Sequence, residues 1–152
     1  MTDAPRQIDW SRGVPLMAGP YFLGLYQPSP ETKDYWDGVA GRKLLLKWCP
    51  ECKKAHHPRR IVCTFCSNCD LGSVQASGRG TVYSFSEVHR AAIDVFAKST
   101  PYIVGVVRLD EGVHLFTRLI PSGPVAIGAP VTVDFRVLEL GQLLPVFVVG
   151  AK

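Results

Sequence analysis

The residues most able to do chemistry lie in one short stretch, which reads WCPECKKAHHPRRIVCTFCSNC. This stretch holds all five cysteines of the chain and two of its four histidines: Cys49, Cys52, Cys63, Cys66, Cys69, His56 and His57. Thiolates and imidazoles bind transition metals, and a thiolate beside a base can act as a nucleophile. The stretch therefore indicates either a metal centre or a catalytic thiol.

The spacing of the cysteines favours a structural zinc site. Two C-x2-C pairs, Cys49/Cys52 and Cys63/Cys66, are separated by ten residues, which is enough for a hairpin to bring the pairs together. Each pair presents two thiolates on one tight turn, and four thiolates complete the tetrahedral shell that Zn²⁺ prefers. A closed shell has no open coordination position, so we expect the Zn²⁺ to hold the fold and not to react.

The fifth cysteine leaves the ligand set open on spacing alone. Cys66 and Cys69 form a further C-x2-C, so the second pair of ligands could shift by three residues. His56 or His57 could also replace one thiolate. A redox pair of the thioredoxin type is disfavoured, because no βαβ pattern surrounds either pair. A catalytic Cys69 would need a neighbouring base, and the sequence places none beside it.

Positive charge is concentrated around the same stretch. Residues 42–60 contain one acid, Glu51, and seven cations: Arg42, Lys43, Lys47, Lys53, Lys54, Arg59 and Arg60. Such a patch can receive phosphate groups, although the short polar loops of a metal module produce a similar composition. The formal net charge of the whole chain is only +4, so net charge excludes no class of partner.

The N-terminal third predicts the elements that lead into the cysteines. Residues 1–30 are rich in Pro and Gly and predict an irregular arm. A helix is predicted to begin with Ser29 as its N-cap and to end at Gly38 or Gly41. The apolar segment KLLLKW then enters the first cysteine pair as a short strand.

The second half of the chain predicts five short strands, at 80–89, 102–109, 113–120, 131–140 and 143–149. Alternation places Tyr83 and Phe85 on one face of the first strand, where such residues usually belong to a core. The second strand is apolar throughout, as in a strand buried on both sides. Residues 90–100 could form a short helix or a loop. Five such strands predict a small closed barrel, of either the OB or the SH3-like type.

Six stretches, in this order, resemble a known family over roughly residues 31–148: YWDGVAGRKLLLKWCPEC, HPRRIVCTFC, SGRGTVYSFSEVHR, PYIVGVVRLDEGVHLFTRL, IGAPVTVDF and LPVF. These are small proteins with a rubredoxin-like zinc ribbon joined to an OB-fold domain, associated with acyl-CoA metabolism and long catalogued as a domain of unknown function. The resemblance implies a mainly β protein in three parts. They are an irregular and helical N-terminal arm (1–40), a zinc ribbon (41–75) and a five-stranded OB-fold barrel (76–152).

The resemblance also bears on the fifth cysteine. In the family the second pair follows a Pro-Arg, here Pro58-Arg59, and lies about eleven residues before a Ser-Gly, here Ser77-Gly78. Cys66 meets this spacing and Cys69 does not, and Cys69 falls where the family usually has a polar loop. The implied ligands of Zn²⁺ are therefore Cys49, Cys52, Cys63 and Cys66.

Members of this family look like non-catalytic partners of thiolase-superfamily enzymes, in which the OB domain helps to hold the CoA part of an acyl-CoA. The resemblance implies a hetero-oligomeric accessory subunit of a thiolase-type acyltransferase complex, for example in aromatic or sterol acyl-CoA degradation. The phosphates of CoA need cationic or N–H donors, for which Arg59, Arg60 and Arg79 are candidates. No catalytic residue is predicted, because no catalytic motif is recognisable.

A nucleic-acid-binding module of ribbon and OB barrel is the alternative function. OB grooves stack bases on aromatic side chains beside a track of cations. The cations of the β half are instead scattered, at Arg79, Arg90, Lys98, Arg108, Arg118 and Arg136. Because affinity for nucleic acid depends on counterion release, this composition disfavours the alternative.

The location expected from the sequence is cytoplasmic. No apolar run reaches the roughly 18 residues of a membrane span, so no membrane partner is expected. The N-terminus lacks a basic region followed by an apolar one, which disfavours a signal peptide. In a reducing compartment the cysteines favour metal binding over disulfides.

Overall fold

The computed structural model describes residues 29–91, 94–139 and 141–150. Residues 1–28 of the predicted irregular arm (1–30) lie outside this part of the chain. A 3-10 helical turn (Pro30–Thr32) leads into α1 (Lys33–Ala40), and the ordered elements that follow are β1 (Leu45–Cys49), β2 (Lys54–His56), β3 (Gly72–Gln75), β4 (Arg79–Val88), α2 (Asp94–Ala97), β5 (Tyr102–Leu109), β6 (His114–Pro121), β7 (Pro130–Val137) and β8 (Leu143–Val149). No helix within these ranges is long and apolar enough to cross a membrane.

The first helix begins where the sequence predicts it. The Ser29 N–H donates to Thr32 Oγ1 at 3.0 Å, and the two hydroxyls lie 3.1 Å apart, which satisfies polar groups at the helix start. At the other end the Gly41 N–H donates to the Asp37 carbonyl. Gly38 lies inside α1, and a Cβ there would come within 2.7 Å of Leu45 Cγ. This glycine is needed for the close approach of β1, and Gly41 ends the helix.

Two β layers follow. The strands around the cysteines form a three-stranded antiparallel sheet in the order β2-β1-β3, which we call the ribbon together with its cysteine turns. The remaining strands close a barrel in the order β4-β5-β6-β8-β7. All neighbours in the barrel are antiparallel except β6 and β8, which pair in parallel. The predicted five-stranded barrel is confirmed, and it is of the OB type.

A β-bulge interrupts the strict alternation that the sequence predicts for β4. Val82 pairs with Val107 and Ser84 with Val106, so Tyr83 is an extra residue without a partner on β5. Tyr83 is 58% exposed and Phe85 41% exposed, and the expectation that either belongs to the core is wrong. The bulge arises from long-range pairing with β5, which the local sequence does not encode.

The β5 strand is also less buried than its apolar sequence indicates. Gly105, Val107 and Leu109 are buried on the inner face, whereas the outer face is half-buried and ends at the exposed Arg108. The reason is that a small closed barrel has only one fully enclosed side.

The ribbon and the barrel share one hydrophobic core. Leu44 and Leu46 belong to the same cluster of buried side chains as Val107, Leu119 and Phe147 of the barrel. On the outside, Arg42 Nη1 donates to the Phe135 carbonyl of β7 at 3.1 Å. The ribbon therefore has a defined position over the barrel.

We expect Gly80→Ala to destabilise the barrel by about 1–3 kcal/mol, because a Cβ there would lie 2.3 Å from the backbone oxygen of Arg108, and backbone cannot move aside cheaply. The measurement is the urea midpoint of unfolding. Gly123→Ala is the matched control, since its Cβ would meet nothing within 4 Å. Equal midpoints for the two variants would contradict the close approach of β4 to β5.

Candidate metal centre

The first cysteine pair lies where the β1–β2 hairpin turns. β1 ends at Cys49, which pairs with Lys54 of β2, and Cys52 lies in the turn between them. A hydrogen bond from the Cys52 backbone N–H is the largest influence on Cys49 and helps to lower the pKa of its thiol. The hairpin thus holds the buried thiol of Cys49, whose pKa lies below its ordinary value.

The second pair lies in a turn closed by its own backbone. The Cys63 N–H donates to the Asn68 carbonyl at 2.9 Å, and the Ser67 N–H donates to the Cys63 carbonyl at 3.1 Å. Burial raises the pKa of Cys63, but hydrogen bonds from the backbone of Cys66 and Phe65 outweigh it and lower that pKa to about 5. Each pair therefore has one cysteine whose thiolate is stabilised by N–H donors.

Both turns contain the same backbone feature. The residue after the second cysteine of each pair has a left-handed backbone, with φ of 53° at Lys53 and 59° at Ser67. Glycine is the usual residue in this conformation, because a Cβ there crowds the neighbouring carbonyl. The two positions carry no glycine, so the sequence contains no signal for this repeated geometry.

The four sulfur atoms of Cys49, Cys52, Cys63 and Cys66 lie within 4.8 Å of one another. Three of the sulfur–sulfur distances are 3.2, 3.5 and 3.6 Å. Around a tetrahedral Zn²⁺ with Zn–S bonds of about 2.3 Å, the sulfurs would be separated by about 3.8 Å. The four side chains are therefore gathered close to the spacing that such an ion requires, and they could hold a metal such as zinc.

The ionisation of the four thiols fits a metal centre as well. A hydrogen bond with Cys63, together with burial, raises the pKa of Cys52. The Asn68 N–H lowers the pKa of Cys66, but burial and the thiols of Cys63 and Cys49 outweigh it and raise that pKa overall. Four thiolates this close repel one another, and a divalent cation is the group that allows all four to ionise together.

The remaining cysteine and the buried histidine lie outside this group. Cys69 is exposed, and its sulfur lies 3.7 Å from the Ser67 carbonyl oxygen. His56 is 5% exposed and packs against the ring of Phe65, with the ring centres 5.7 Å apart. Among the described residues, the sulfur group contains the four predicted cysteines and neither Cys69 nor a histidine.

Three of the cavities in the described part of the chain lie along β6 or at the junction of the ribbon and the barrel. Two of them adjoin along β6 and share the lining residues Tyr35, Trp36, Phe116, Thr117 and Pro145, and we call the pair the β6 groove. Its ribbon end has a volume of about 430 Å³ and includes His57, Pro58 and Arg59. Its far end has a volume of about 550 Å³ and is apolar, with Val104, Leu138 and Leu144 in its lining. The third cavity lies between the ribbon and the β5–β6 turn, and we call it the junction cleft.

The predicted CoA-binding arginines separate into two places. Arg59 lines both the β6 groove and the junction cleft, and Arg60 lines the cleft. Arg79 begins β4 and pairs with Asp110 at 3.6 Å, and it is not in the lining of these three cavities. The structure therefore brings the two ribbon arginines together and leaves the third with a carboxylate partner.

Some residues of the groove were missed from the sequence. Phe116 is 73% exposed and lies at the middle of the β6 groove, and alternation along β6 was the available signal for its outward position. At the far end Arg118 forms an ion pair with Glu139, and its guanidinium lies 4.1 Å from the centre of the Tyr102 ring. No local pattern joins Arg118 and Glu139, which are 21 residues apart.

The protein combines a three-stranded ribbon that carries four clustered cysteines with a five-stranded OB barrel, and proteins with this combination form its structural class. Residues 73–136 match the family described as "ChsH2, C-terminal OB-fold domain". A "DUF35 domain-containing scaffold protein" of Methanocaldococcus jannaschii is 33% identical over 105 residues, which are 66% of this chain and 74% of that protein. The chain belongs to the DUF35 family, which confirms the resemblance found in the sequence.

Two further comparisons are with a longer relative in sequence and with a solved structure. A "Probable enoyl-CoA hydratase alpha subunit" of Thermomonospora curvata is 34% identical over 115 residues, which are 74% of this chain and 35% of that protein. The chain thus spans about a third of the length of that relative. The solved structure "Ltp2-ChsH2(DUF35) aldolase" has 31% identity and a TM-score of 0.72, and it covers 82% of this chain and 100% of the matched chain.

We expect Cys66→Ser to lose zinc and Cys69→Ser to keep the zinc content of the unmodified protein. Both cysteines are exposed, but Cys66 contributes a sulfur to the group of four and Cys69 does not. The measurement is metal content by mass spectrometry of the purified proteins, with circular dichroism to follow the ribbon. Equal zinc loss in both variants would show that Cys69 takes part in binding.

We expect Lys53→Gly to stabilise the metal-loaded protein by about 1 kcal/mol, because it removes the cost of a side chain in the left-handed conformation. The free energy of unfolding in urea measures this. Lys54→Gly is the control with the same loss of charge. Lys54 lies in β2 and its ammonium lies 3.8 Å from the centre of the Phe65 ring, so its replacement should destabilise. A loss of stability in Lys53→Gly would contradict the proposed backbone strain.

Proposed function

We propose that this protein is a non-catalytic accessory subunit of acyl-CoA metabolism, which holds the CoA part of an acyl-CoA while associated with a thiolase-superfamily enzyme. In this proposal Cys49, Cys52, Cys63 and Cys66 bind a structural Zn²⁺. Residues 41–75 form the zinc ribbon and residues 76–152 the OB-fold domain. The Zn²⁺ supplies no chemistry to a substrate, because four protein thiolates close its coordination shell.

The observation that carries the proposal is the change of polarity along the β6 groove. Its ribbon end has the cationic Arg59, and its far end is lined by Val104, Leu138 and Leu144. An acyl-CoA has the same polarity, with phosphates at one end and an apolar acyl group at the other. Pockets that bind such molecules are mostly apolar, with a few charged groups that fix orientation.

The charge at the far end is neutralised within the protein. Arg118 and Glu139 form an ion pair whose side chains are 13% and 15% exposed. Burial raises the pKa of Glu139, but hydrogen bonds from Ser99 and Arg118 outweigh it and keep that pKa below its ordinary value. Glu139 is therefore ionised at neutral pH and cancels the charge of Arg118. This supports an orientation of the ligand with its apolar acyl group at the far end of the β6 groove and its anionic phosphates at the ribbon end.

The relatives support the role of an accessory subunit. One is named a scaffold protein, another is named as the alpha subunit of a probable enoyl-CoA hydratase, and the structural neighbour is named as an aldolase of Ltp2 and ChsH2(DUF35). An exposed Phe116 in the groove fits a surface that a ligand or a partner covers. A thiolase-type partner is proposed on the family resemblance.

The cations of the barrel give little support to nucleic-acid binding. Arg79, Arg118 and Arg136 each pair with a carboxylate, at Asp110, Glu139 and Asp134 respectively. A cation that is already paired releases fewer counterions from a phosphate backbone. These pairs leave a poor electrostatic track along the barrel.

The proposal is tested by co-purification of the tagged, zinc-loaded protein from its native host, followed by an assay of thiolase activity with and without this subunit. We expect a thiolase-superfamily enzyme to co-purify and its activity to depend on the subunit. A protein that purifies alone, with no thiolase activity dependent on it, would refute the proposal.

A matched pair of variants tests the groove. Phe116→Ser should weaken binding of a long-chain acyl-CoA by roughly tenfold, because a large apolar contact is lost. Ile127→Ser is the control, since Ile127 is 72% exposed, close to the 73% of Phe116, but is not in the lining of the groove. Calorimetric titration measures both, and equal affinities would exclude the groove as the site.

A further inference from the structure

The junction cleft is a separate cavity of about 630 Å³ between the ribbon and the β5–β6 turn. Its lining consists of Ala55, His56, His57, Arg59, Arg60, Thr64, Phe65, Gly112, Val113 and His114. Five of these ten residues carry a guanidinium or an imidazole, and none carries a carboxylate. The cleft therefore offers many N–H donors and no carboxylate in its lining.

The acids nearest in sequence to the cleft are engaged elsewhere. Asp110 pairs with Arg79 at 3.6 Å, and Glu111 Oε1 accepts a hydrogen bond from the Ser77 N–H at 2.6 Å, while Glu111 Oε2 is buried without a hydrogen-bond partner in the described structure. Glu31 lies close enough to Arg59 to feel its charge, but its main hydrogen bond is with Ser29. Within the described residues, no ion pair involves Arg60, so its charge is available to a ligand.

A short turn holds the donors on the ribbon side. The Arg60 N–H donates to the His57 carbonyl at 2.9 Å, and the Arg59 N–H donates to His57 Nδ1 at 3.2 Å. Since Nδ1 accepts a hydrogen bond, the proton of neutral His57 is on Nε2, which is then a donor. Burial, with the adjacent charges of Arg59 and Arg60, lowers the pKa of His57 and so favours the neutral form. The turn is thus organised before any ligand binds.

His56 provides an independent sign that the site is incomplete. It is 5% exposed, and its Nε2 is buried without a hydrogen-bond partner in the described structure. A buried polar nitrogen left in this state costs free energy, and such groups are rare in folded proteins. Phe65, whose ring contacts that of His56, is 63% exposed, and in the tautomer with its proton on Nε2 His56 has a donor for an acceptor oxygen that enters the cleft.

We infer that the junction cleft binds a phosphate or diphosphate group through Arg59, Arg60, His56 and His114. Phosphate has the acceptor oxygens and the negative charge that this set of donors lacks. The identity of the ligand as CoA rests on the proposed function. Because Arg59 lines both cavities, the phosphates of CoA would lie in the cleft while its acyl arm follows the β6 groove.

The test is calorimetric titration of the zinc-loaded full chain with inorganic pyrophosphate and, separately, with CoA. Arg60→Gln should weaken binding of both by about tenfold, because one charge-assisted contact is lost. Arg136→Gln removes the same charge on β7, outside the cleft lining, and should bind as the unmodified protein does. Nitrogen NMR of the histidine rings should show the His56 Nε2 resonance shift on addition of pyrophosphate.

The outcomes separate this inference from the proposed function. No binding of pyrophosphate at millimolar concentration, equal weakening in Arg60→Gln and Arg136→Gln, or an unmoved His56 resonance overturns the phosphate site. If pyrophosphate binds as expected but CoA binds no better than pyrophosphate, the phosphate site stands and the CoA assignment fails. If CoA binds equally to the unmodified protein and to Arg60→Gln, the cleft is excluded while the proposed function survives.

Discussion

The convergence of four cysteine sulfurs is the constraint on which the rest of the architecture depends. The ten residues between the two cysteine pairs contain β2 and the turn that carries Arg59 and Arg60. Restricting such a segment costs conformational entropy, and a metal bound by the two cysteine pairs would supply the restraint. That restraint would fix the segment that carries the two arginines at both of its ends.

The restraint is useful because the ribbon is not an independent body. Leu44 and Leu46 are buried with residues of the barrel, and Arg42 is bonded to the Phe135 carbonyl. The close approach at Gly38 brings α1 against the start of β1. β1 therefore joins the sulfur group to the barrel, since it ends at Cys49 and its Leu46 packs in the shared core. The turn with Arg59 lies at one end of the β6 groove.

Electrostatic pairing then decides which cations can meet a ligand. On the barrel, Arg79, Arg118 and Arg136 each have a carboxylate partner. On the ribbon, Arg59 and Arg60 form no ion pair among the described residues. Arg59 and Arg60 are thus two adjacent cations available to an anionic ligand, and Arg59 lies beside a groove whose far end is apolar.

Local rules explain why a large part of this fold is predictable, and long-range contacts explain the rest. The helix cap at Ser29 and the alternation or apolar character of each strand are set by residues close in the sequence, so they can be predicted from it. The C-x2-C spacing likewise identifies two pairs of cysteines as candidate ligands. The family resemblance, confirmed by the comparisons, narrowed the barrel to the OB type. The bulge at Tyr83 instead depends on pairing with β5. The left-handed backbone at Lys53 and Ser67 could not be predicted either, because neither position has the glycine that usually indicates it.

By itself, the sequence determined which side chains could act: the thiols, the basic turn and the strands that form a barrel. Only the tertiary structure decided which of them meet. It gathered four sulfurs and left Cys69 outside, gave Arg79 a carboxylate, and buried His56 beside two arginines in one cleft. The physical reason is that spacing along a chain limits only local geometry, whereas burial and charge pairing depend on segments that folding brings together.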